Sequence, residues 1–299
     1  MDILVLYGGE SEERAVSLRS GARVCEALRE KGHNVQGVDA CDALPSAALI
    51  EQARHADAVF LCFHGGAGED GRWQATLENA GVLHYTGSDA AASALAMDKP
   101  RAKACVASFG VPCAQGALWR EGTPPPDLEF PFIVKPPRGG SSIGFCVIKN
   151  ERDLEKLVPL GDLLYESYLP GREYSVGVLE GRALPPIEIQ PQEGVYDYTH
   201  KYTQGATREL CPAPVSTARL VRLQNLAMIS FRALGLRDFA RIDFKEDAAG
   251  EICFLEANTL PGMTQTSLLP LAAATRGIPF ASLCEKMAKL AAQRNVWKT

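Results

Sequence analysis

Residues 239–264, FARIDFKEDAAGEICFLEANTLPGMT, admit very few folds. Apolar and polar residues alternate over two arms, and Ala248-Ala249-Gly250 supplies a turn between them, the pattern of a β-hairpin with a buried face. Side chains two apart in a strand share a face, so Arg241 and Asp243 lie together on the first arm, and Glu256 and Asn258 on the second. Pairing of Asp247 with Ile252 would set Asp243 opposite Glu256 and Arg241 opposite Asn258. Two carboxylates and an amide so arranged suit a hard cation such as Mg²⁺, which takes oxygen ligands and shares them with substrate phosphates. The same residues also suit a surface salt-bridge ladder in which Arg241 neutralises the acids. The hairpin alone leaves both readings open.

The rest of the chain narrows the architecture. The run Ile3-Leu4-Val5-Leu6-Tyr7 ends in Gly8-Gly9. It is followed by a helical pattern over about 15–31, a strand over 34–38, a helix over 46–55 and a strand over 58–63. Strands alternating with helices predict a parallel sheet covered on both faces. The glycine-rich segment 64–71, HGGAGEDG, follows the last of these strands, so both glycine loops belong on the carboxyl rim where such sheets bind ligands. No G-x-G-x-x-G follows the first strand, which argues against a dinucleotide fold. Further along, the spacing predicts helix around 88–109 with Pro100 in a first turn, strands over 132–135 and 144–148, and a helix over 151–157. Strands over 163–168 and 173–179, a helix over 217–234 and a C-terminal helix over 280–294 complete the pattern. Residues 185–216 read as a long irregular segment, and a loop of that length is usually functional or disordered.

With 299 residues the chain has room for two or three domains. A net charge of −5 gives no basic field to collect nucleic-acid phosphates. No run of about 18 apolar residues and no signal-peptide pattern is present, so neither a membrane span nor export is expected. The nine cysteines lack a C-x-x-C pair. Cys25, Cys62, Cys146, Cys253 and Cys284 fall in apolar-periodic segments, which predicts reduced, mostly buried thiols in a cytoplasmic protein.

Several other segments carry polar chemistry. KPPRGGSSIG (135–144) is a strand–loop–strand whose glycines let backbone N–H groups approach phosphate oxygens, with Lys135, Ser141 and Ser142 as added donors; it also suits a plain hairpin tip. Lys99 near a helix start opposes the helix dipole, so an anion there would explain it. Glu166 and Glu173 flank the turn Leu169-Pro170-Gly171, where carboxylates can accept from an adenine amino group or ribose hydroxyls, or stand in solvent. Glu13 can grip an ammonium or complement the helix N-terminus. His64 and Glu69 are ligands or loop residues, and Lys201-Tyr202 lies in the irregular segment.

Taken in order, eight segments resemble the D-alanine–D-alanine ligase family of ATP-grasp enzymes across nearly the whole chain. They are GGESEERAVSLRSG (8–21), HGGAGEDGRWQ (64–74), MDKPRAK (97–103), IVKPPRGGSSIG (133–144), YESYLPGREYSV (165–176), YDYTHKY (196–202), ARIDF (240–244) and FLEANTLPGMTQTSLLP (254–270). The resemblance implies an α/β, three-domain ATP-grasp architecture: an N-terminal parallel-sheet domain (1–92), a central domain (93–180) and a C-terminal domain (181–299). It implies ATP-dependent joining of two D-alanines through an acyl phosphate, two Mg²⁺ ions with Mn²⁺ as a substitute, and a homodimer. It places Lys99 and Lys135 on the ATP phosphates and Glu166 and Glu173 at adenine and ribose. Ser141, Ser142, Ser167, Tyr168, Leu169 and Lys201 also join the nucleotide site. Asp243, Glu256 and Asn258 become the metal ligands, and Arg241, with backbone near Gly262, the oxyanion donors. Glu13, linked to Ser141 and Tyr202, and His64 form the first D-alanine subsite; Ser267 and Leu268 form the second.

The sequence departs from the family pattern at Gly139, Ser167 and Glu10. Three rival readings stay open: a ligase using D-lactate or D-serine as acceptor, an ATP-grasp small-molecule kinase, and a non-catalytic nucleotide-binding module.

Overall fold

The structure, a computed structural model, describes residues 1–41, 44–124, 129–140, 144–157, 161–191 and 207–294. Its first unit alternates strands and helices: β1 (Asp2–Gly8), α1 (Arg14–Glu30), β2 (Asn34–Ala40), α2 (Ala47–His55) and β3 (Ala58–Leu61). The strands run parallel in the order β2-β1-β3. Ile3 and Val5 pack with Val24 and Leu28 of α1, whereas Leu4 and Leu6 pack with Ala53 of α2, Trp73 and Leu77. Burial on both faces is why this strand reads as a continuous apolar run. The loops after β1 and β3 meet on one rim, where the Ser11 hydroxyl donates to the His64 carbonyl.

Helices α3 (Arg72–Asn79), α4 (Ala90–Met97) and α5 (Lys99–Ser108) lead to a second sheet. Asp98 caps α5 by accepting from the Arg101 amide, and Pro100 sits in the first turn, where no intrahelical donor is needed. The second sheet contains β4 (Gly116–Trp119), β5 (Phe132–Lys135), β6 (Cys146–Ile148) and β7 (Leu163–Ser167), antiparallel in the order β4-β7-β5-β6, with α6 (Glu151–Lys156) between β6 and β7 in the chain. Strand β4 has no sequence signal because Gly116-Ala117 are poor strand formers. β6 is an edge strand, and Cys146 is exposed rather than buried as expected. Cys25, Cys62, Cys253 and Cys284 are buried, and all nine cysteines are free.

The third sheet holds β8 (Glu173–Leu179), β9 (Arg182–Ala183), β10 (Ile187–Pro191) and β11 (Thr207–Leu210). After α7 (Thr217–Ala233) it is completed by β12 (Phe239–Glu246) and β13 (Ile252–Asn258), and α8 (Leu268–Thr275) and α9 (Phe280–Ala292) follow. The order is β11-β10-β8-β12-β13, with β9 on β8, all antiparallel. The segment read as irregular over 185–216 therefore contributes two strands. Ile187 and Ile189 alternate with Glu188 and Gln190, a period-2 signal masked by the flanking prolines.

The alternation in β8 and β12 gives this sheet two different faces. Tyr174, Val176, Val178, Ala240, Ile242 and Phe244 pack with Leu223, Ala227 and Phe231 of α7. Glu173, Ser175, Arg241, Asp243 and Lys245 point the other way, toward the functional cleft. In the hairpin, Glu246 rather than Asp247 pairs with Ile252. The register then shifts between Asp243 and Phe244: Phe244 is opposite Phe254, and Asp243 is opposite Glu256. Leu255 is thus the extra residue of a β-bulge. The expected oppositions of Asp243 with Glu256 and Arg241 with Asn258 hold, but through the bulge rather than through an Asp247–Ile252 pair.

Phe244 is fully buried and meets Phe254 edge-on, with ring centroids 6.3 Å apart. Phe244→Ala opens a cavity under the charged face and is expected to cost about 3–5 kcal/mol in urea denaturation.

Candidate active site

A cleft of about 950 Å³, counting space open to solvent, lies between the second and third sheets. Ile133, Leu169 and Leu255 give it apolar walls, and Ser167 and Tyr168 also line it. The bulge brings Leu255 and Glu256 to the same cleft. Glu166, on β7, is almost fully buried; Lys103 is bound to one of its oxygens and Lys135 lies 2.8 Å from the other. Burial alone would raise the Glu166 carboxyl, but the two lysines outweigh it and hold the group below its usual range. Burial, then Lys135, lowers Lys103. Glu173 pairs with Lys245 at 2.9 Å. Sequence reading assigned no role to Lys103. The available signal was its spacing: four residues after Lys99, it lies one helical turn along the same face of α5.

The glycine loop is tied to the start of α5. Arg138 donates to Asp98 at 2.9 and 3.2 Å, the Lys99 amide donates to the Pro137 carbonyl at 3.0 Å, and the Lys99 ammonium donates to the Gly139 carbonyl. The same ammonium lies 3.6 Å from Glu256. Lys99, Lys135 and Arg138 thus bring positive charge to a cleft that Asp243 and Glu256 also line.

Asp243 is buried and accepts from four donor atoms: Ser175 Oγ at 2.6 Å, Arg241 Nε at 3.0 Å and Nη2 at 2.9 Å, and Asn258 Nδ2 at 3.0 Å. Among the described residues, no three His, Cys, Asp or Glu side chains converge as a complete metal cage. Two opposed carboxylates and an amide are nevertheless the hard oxygen set that Mg²⁺ takes when substrate phosphates supply further ligands. The donor chemistry therefore fits Mg²⁺, with the Asn258 amide turned to present its oxygen.

A second cavity of about 630 Å³ adjoins the first, and Gly140 and Glu256 line both. It brings together Glu13, His64, Arg241, Asn258, Gly262, Ser267 and Leu268. Gly65 has φ +68°, and a Cβ there would lie 2.9 Å from Glu13 Oε2, so a side chain at 65 would displace the acid. A Cβ on Gly262 would lie 2.6 Å from Ser267 Oγ, so the backbone at 262 passes directly against that hydroxyl. Burial first, then Arg241 and Arg19, push His64 down to about 4, leaving a neutral ring at pH 7. Its Nε2 lies 3.2 Å from Ser20 Oγ, and its Nδ1 lies 4.0 Å from Glu69. The Met263 amide donates to the same Ser20 hydroxyl at 3.3 Å, so Ser20 joins His64 to the segment that carries Met263. Ser141, Ser142, Lys201 and Tyr202 lie outside the described residues.

Glu69 is a second site acid that sequence reading left open. Burial first, then the Glu13 carboxylate, push it up to about 8 from an ordinary 4.5. Below 4.5 it is protonated folded or unfolded, and its stabilising contribution is fully present. As pH climbs from 4.5 through about 8, the unfolded chain ionises first and that contribution is lost. The ligand-free protein is therefore expected to lose thermal stability from this group over pH 5–8. Glu69→Gln should flatten that slope in melting curves recorded across the range.

Comparison with known proteins places the chain in a family. The model of the family described as D-ala D-ala ligase C-terminus matches residues 125–289. D-alanine–D-alanine ligase of Methylacidiphilum infernorum is 39% identical, over 99% of this chain and 96% of its own. That of Aquifex aeolicus is 40% identical, over 95% and 98%. Among solved structures, D-alanine–D-alanine ligase of Bacillus anthracis superposes with a TM-score of 0.87 at 29% identity, covering 99% of this chain and 98% of that one. The VanG D-Ala:D-Ser ligase of Enterococcus faecalis gives 0.83 at 26%, covering 97% and 99%. With relatives matching end to end and a site at the junction of two adjoining cavities, the chain belongs to the D-alanine–D-alanine ligase family.

Proposed function

We propose that the chain joins two D-alanines into D-alanyl-D-alanine, with ATP cleaved to ADP and phosphate, as a cytoplasmic step of peptidoglycan precursor synthesis carried out by a homodimer. The observation that carries this reading is Glu256, which lines both the larger cleft and the smaller polar cavity. A phosphoryl group leaving ATP in the first is within reach of a carboxylate bound in the second.

Lys99 and Lys135 hold the ATP phosphates. Glu166, Glu173 and the Ser167–Leu169 backbone hold adenine and ribose. Glu13 grips the ammonium of the first D-alanine, with His64 beside it as a neutral ring. The carboxylate of that D-alanine attacks the γ-phosphorus, giving an acyl phosphate and ADP. Asp243, Glu256 and Asn258 would hold two Mg²⁺ ions, which would supply charge neutralisation at the transferring phosphoryl group. The amine of the second D-alanine, seated at Ser267 and Leu268, attacks the acyl carbon after losing a proton. Arg241 and backbone N–H near Gly262 face the tetrahedral oxyanion, and phosphate leaves. An acyl phosphate hydrolyses in water, so we assign the role of closing cover to the segment containing Lys201-Tyr202.

The purified protein with ATP, Mg²⁺ and D-alanine is expected to release one phosphate per dipeptide, and excess chelator should stop it. Offered D-lactate or D-serine in competition at neutral pH, it should still make mainly D-alanyl-D-alanine; a predominance of depsipeptide or of the serine product would overturn the assignment. Phosphate release without any amine acceptor would indicate a kinase instead. Asp243→Ala and Glu256→Ala should each lower kcat by at least ~10²-fold while the melting curve remains cooperative.

A further inference from the structure

Residues 259–267, between β13 and α8, have neither strand nor helix to satisfy their backbone. Yet Met263 and Thr264 are buried, and buried backbone groups need partners. The Thr264 amide donates to Ser267 Oγ at 2.9 Å, within the segment. The Met263 amide donates to Ser20 Oγ at 3.3 Å. Arg23 Nη1 donates to both carbonyls, Met263 at 3.1 Å and Thr264 at 2.7 Å. Three of the four groups are therefore met from α1. Ser20 and Arg23 stand three residues apart, on one face of that helix. The Arg23 guanidinium also lies 3.6 Å from the centroid of the Phe280 ring, at the start of α9. One side chain thus ties α1, the irregular segment and α9 together, and it lines neither cavity.

Helix α1 begins next to Glu13, and the segment it clamps carries Gly262 and Ser267. The distance between the two amino-acid subsites therefore depends on this clamp. We propose that Arg23 is a positioning residue for the ligation, holding the second-substrate segment at working distance from the first subsite through the carbonyls of Met263 and Thr264. This inference rests on the ligase reading above. Arg23 touches no substrate; its effect passes through the backbone that does. A displacement of about 1 Å at a reacting centre can lower rate by ~10²-fold.

The test compares Arg23→Ala and Arg23→Lys with the parent enzyme by steady-state kinetics and by hydrogen exchange. Arg23→Ala should raise KM for the second D-alanine and lower kcat, together by ~10²-fold in kcat/KM. KM for ATP and for the first D-alanine should stay within about twofold, a split that general loosening of the fold would not give. Arg23→Lys, which keeps one donor and the charge, should recover part of the loss. Exchange in Arg23→Ala should quicken within 259–267 and not in β12 or β13. An unchanged second KM, or a parallel rise in all three, overturns the proposal, and so does unaltered exchange of the segment. If Arg23→Ala does not fold, the same second-KM effect, smaller, must appear in Arg23→Lys, and its absence there overturns the proposal. A parent protein that makes no dipeptide sinks the ligase reading instead, and exchange still decides whether Arg23 holds the segment.

Discussion

The structure is organised around one buried carboxylate. Asp243 sits in the middle of the third sheet, where an unpaired charge would be costly. Its stability there depends on neighbours that only this sheet order supplies: Ser175 from β8 on one side, Asn258 from β13 on the other, and Arg241 from its own strand. The pairing of Asp243 with Ser175 and with Glu256 fixes which face of β8 and β13 is polar. Because strand alternation has period two, it also fixes that Tyr174, Ile242 and Phe244 point into the apolar layer on α7. The polar site and the core beneath it are two readings of one register.

The hairpin and its turn were legible in the sequence, but the facing of Asp243 with Glu256 was drawn from an assumed Asp247–Ile252 pair that does not form. The second arm opens on an unbroken apolar run, Ile252-Cys253-Phe254-Leu255, and the pairing of Glu246 with Ile252 gives the reason: Leu255 is the extra residue of a bulge. The apolar run of β1 and the glycine loops beyond β1 and β3 were equally plain. The strand Ile187–Pro191 was missed because prolines at 185, 186 and 191 outweighed a short isoleucine alternation. Lys103, Ser20 and Arg23 act by meeting groups distant in sequence, a carboxylate 63 residues away in the case of Lys103. No local pattern announces such a contact.

Electrostatics separate the two ends of the site. At the nucleotide end, Lys103 and Lys135 overcome burial and hold the Glu166 carboxyl below its usual range. At the other end, His64 is kept neutral, and Glu69 resists ionisation beside Glu13. The contact between His64 and Glu69, 4.0 Å long, is then one between neutral groups rather than an ion pair. On the proposed assignment this rim offers Glu13 to the ammonium of the first D-alanine. Were Glu69 ionised as well, two adjacent carboxylates would compete for the same cation and repel a substrate carboxylate.

The bond between Arg241 and Asp243 then acquires a consequence for the proposed reaction. Arg241 neutralises Asp243 through two nitrogens at 2.9–3.2 Å. Arg241 also lines the cavity beside Gly262 and Ser267. A carboxylate has about four lone-pair sites, so a divalent cation held at Asp243 would share that group with the guanidinium. On the proposed assignment, Arg241 would then link the metal ligand to the oxyanion position through one side chain.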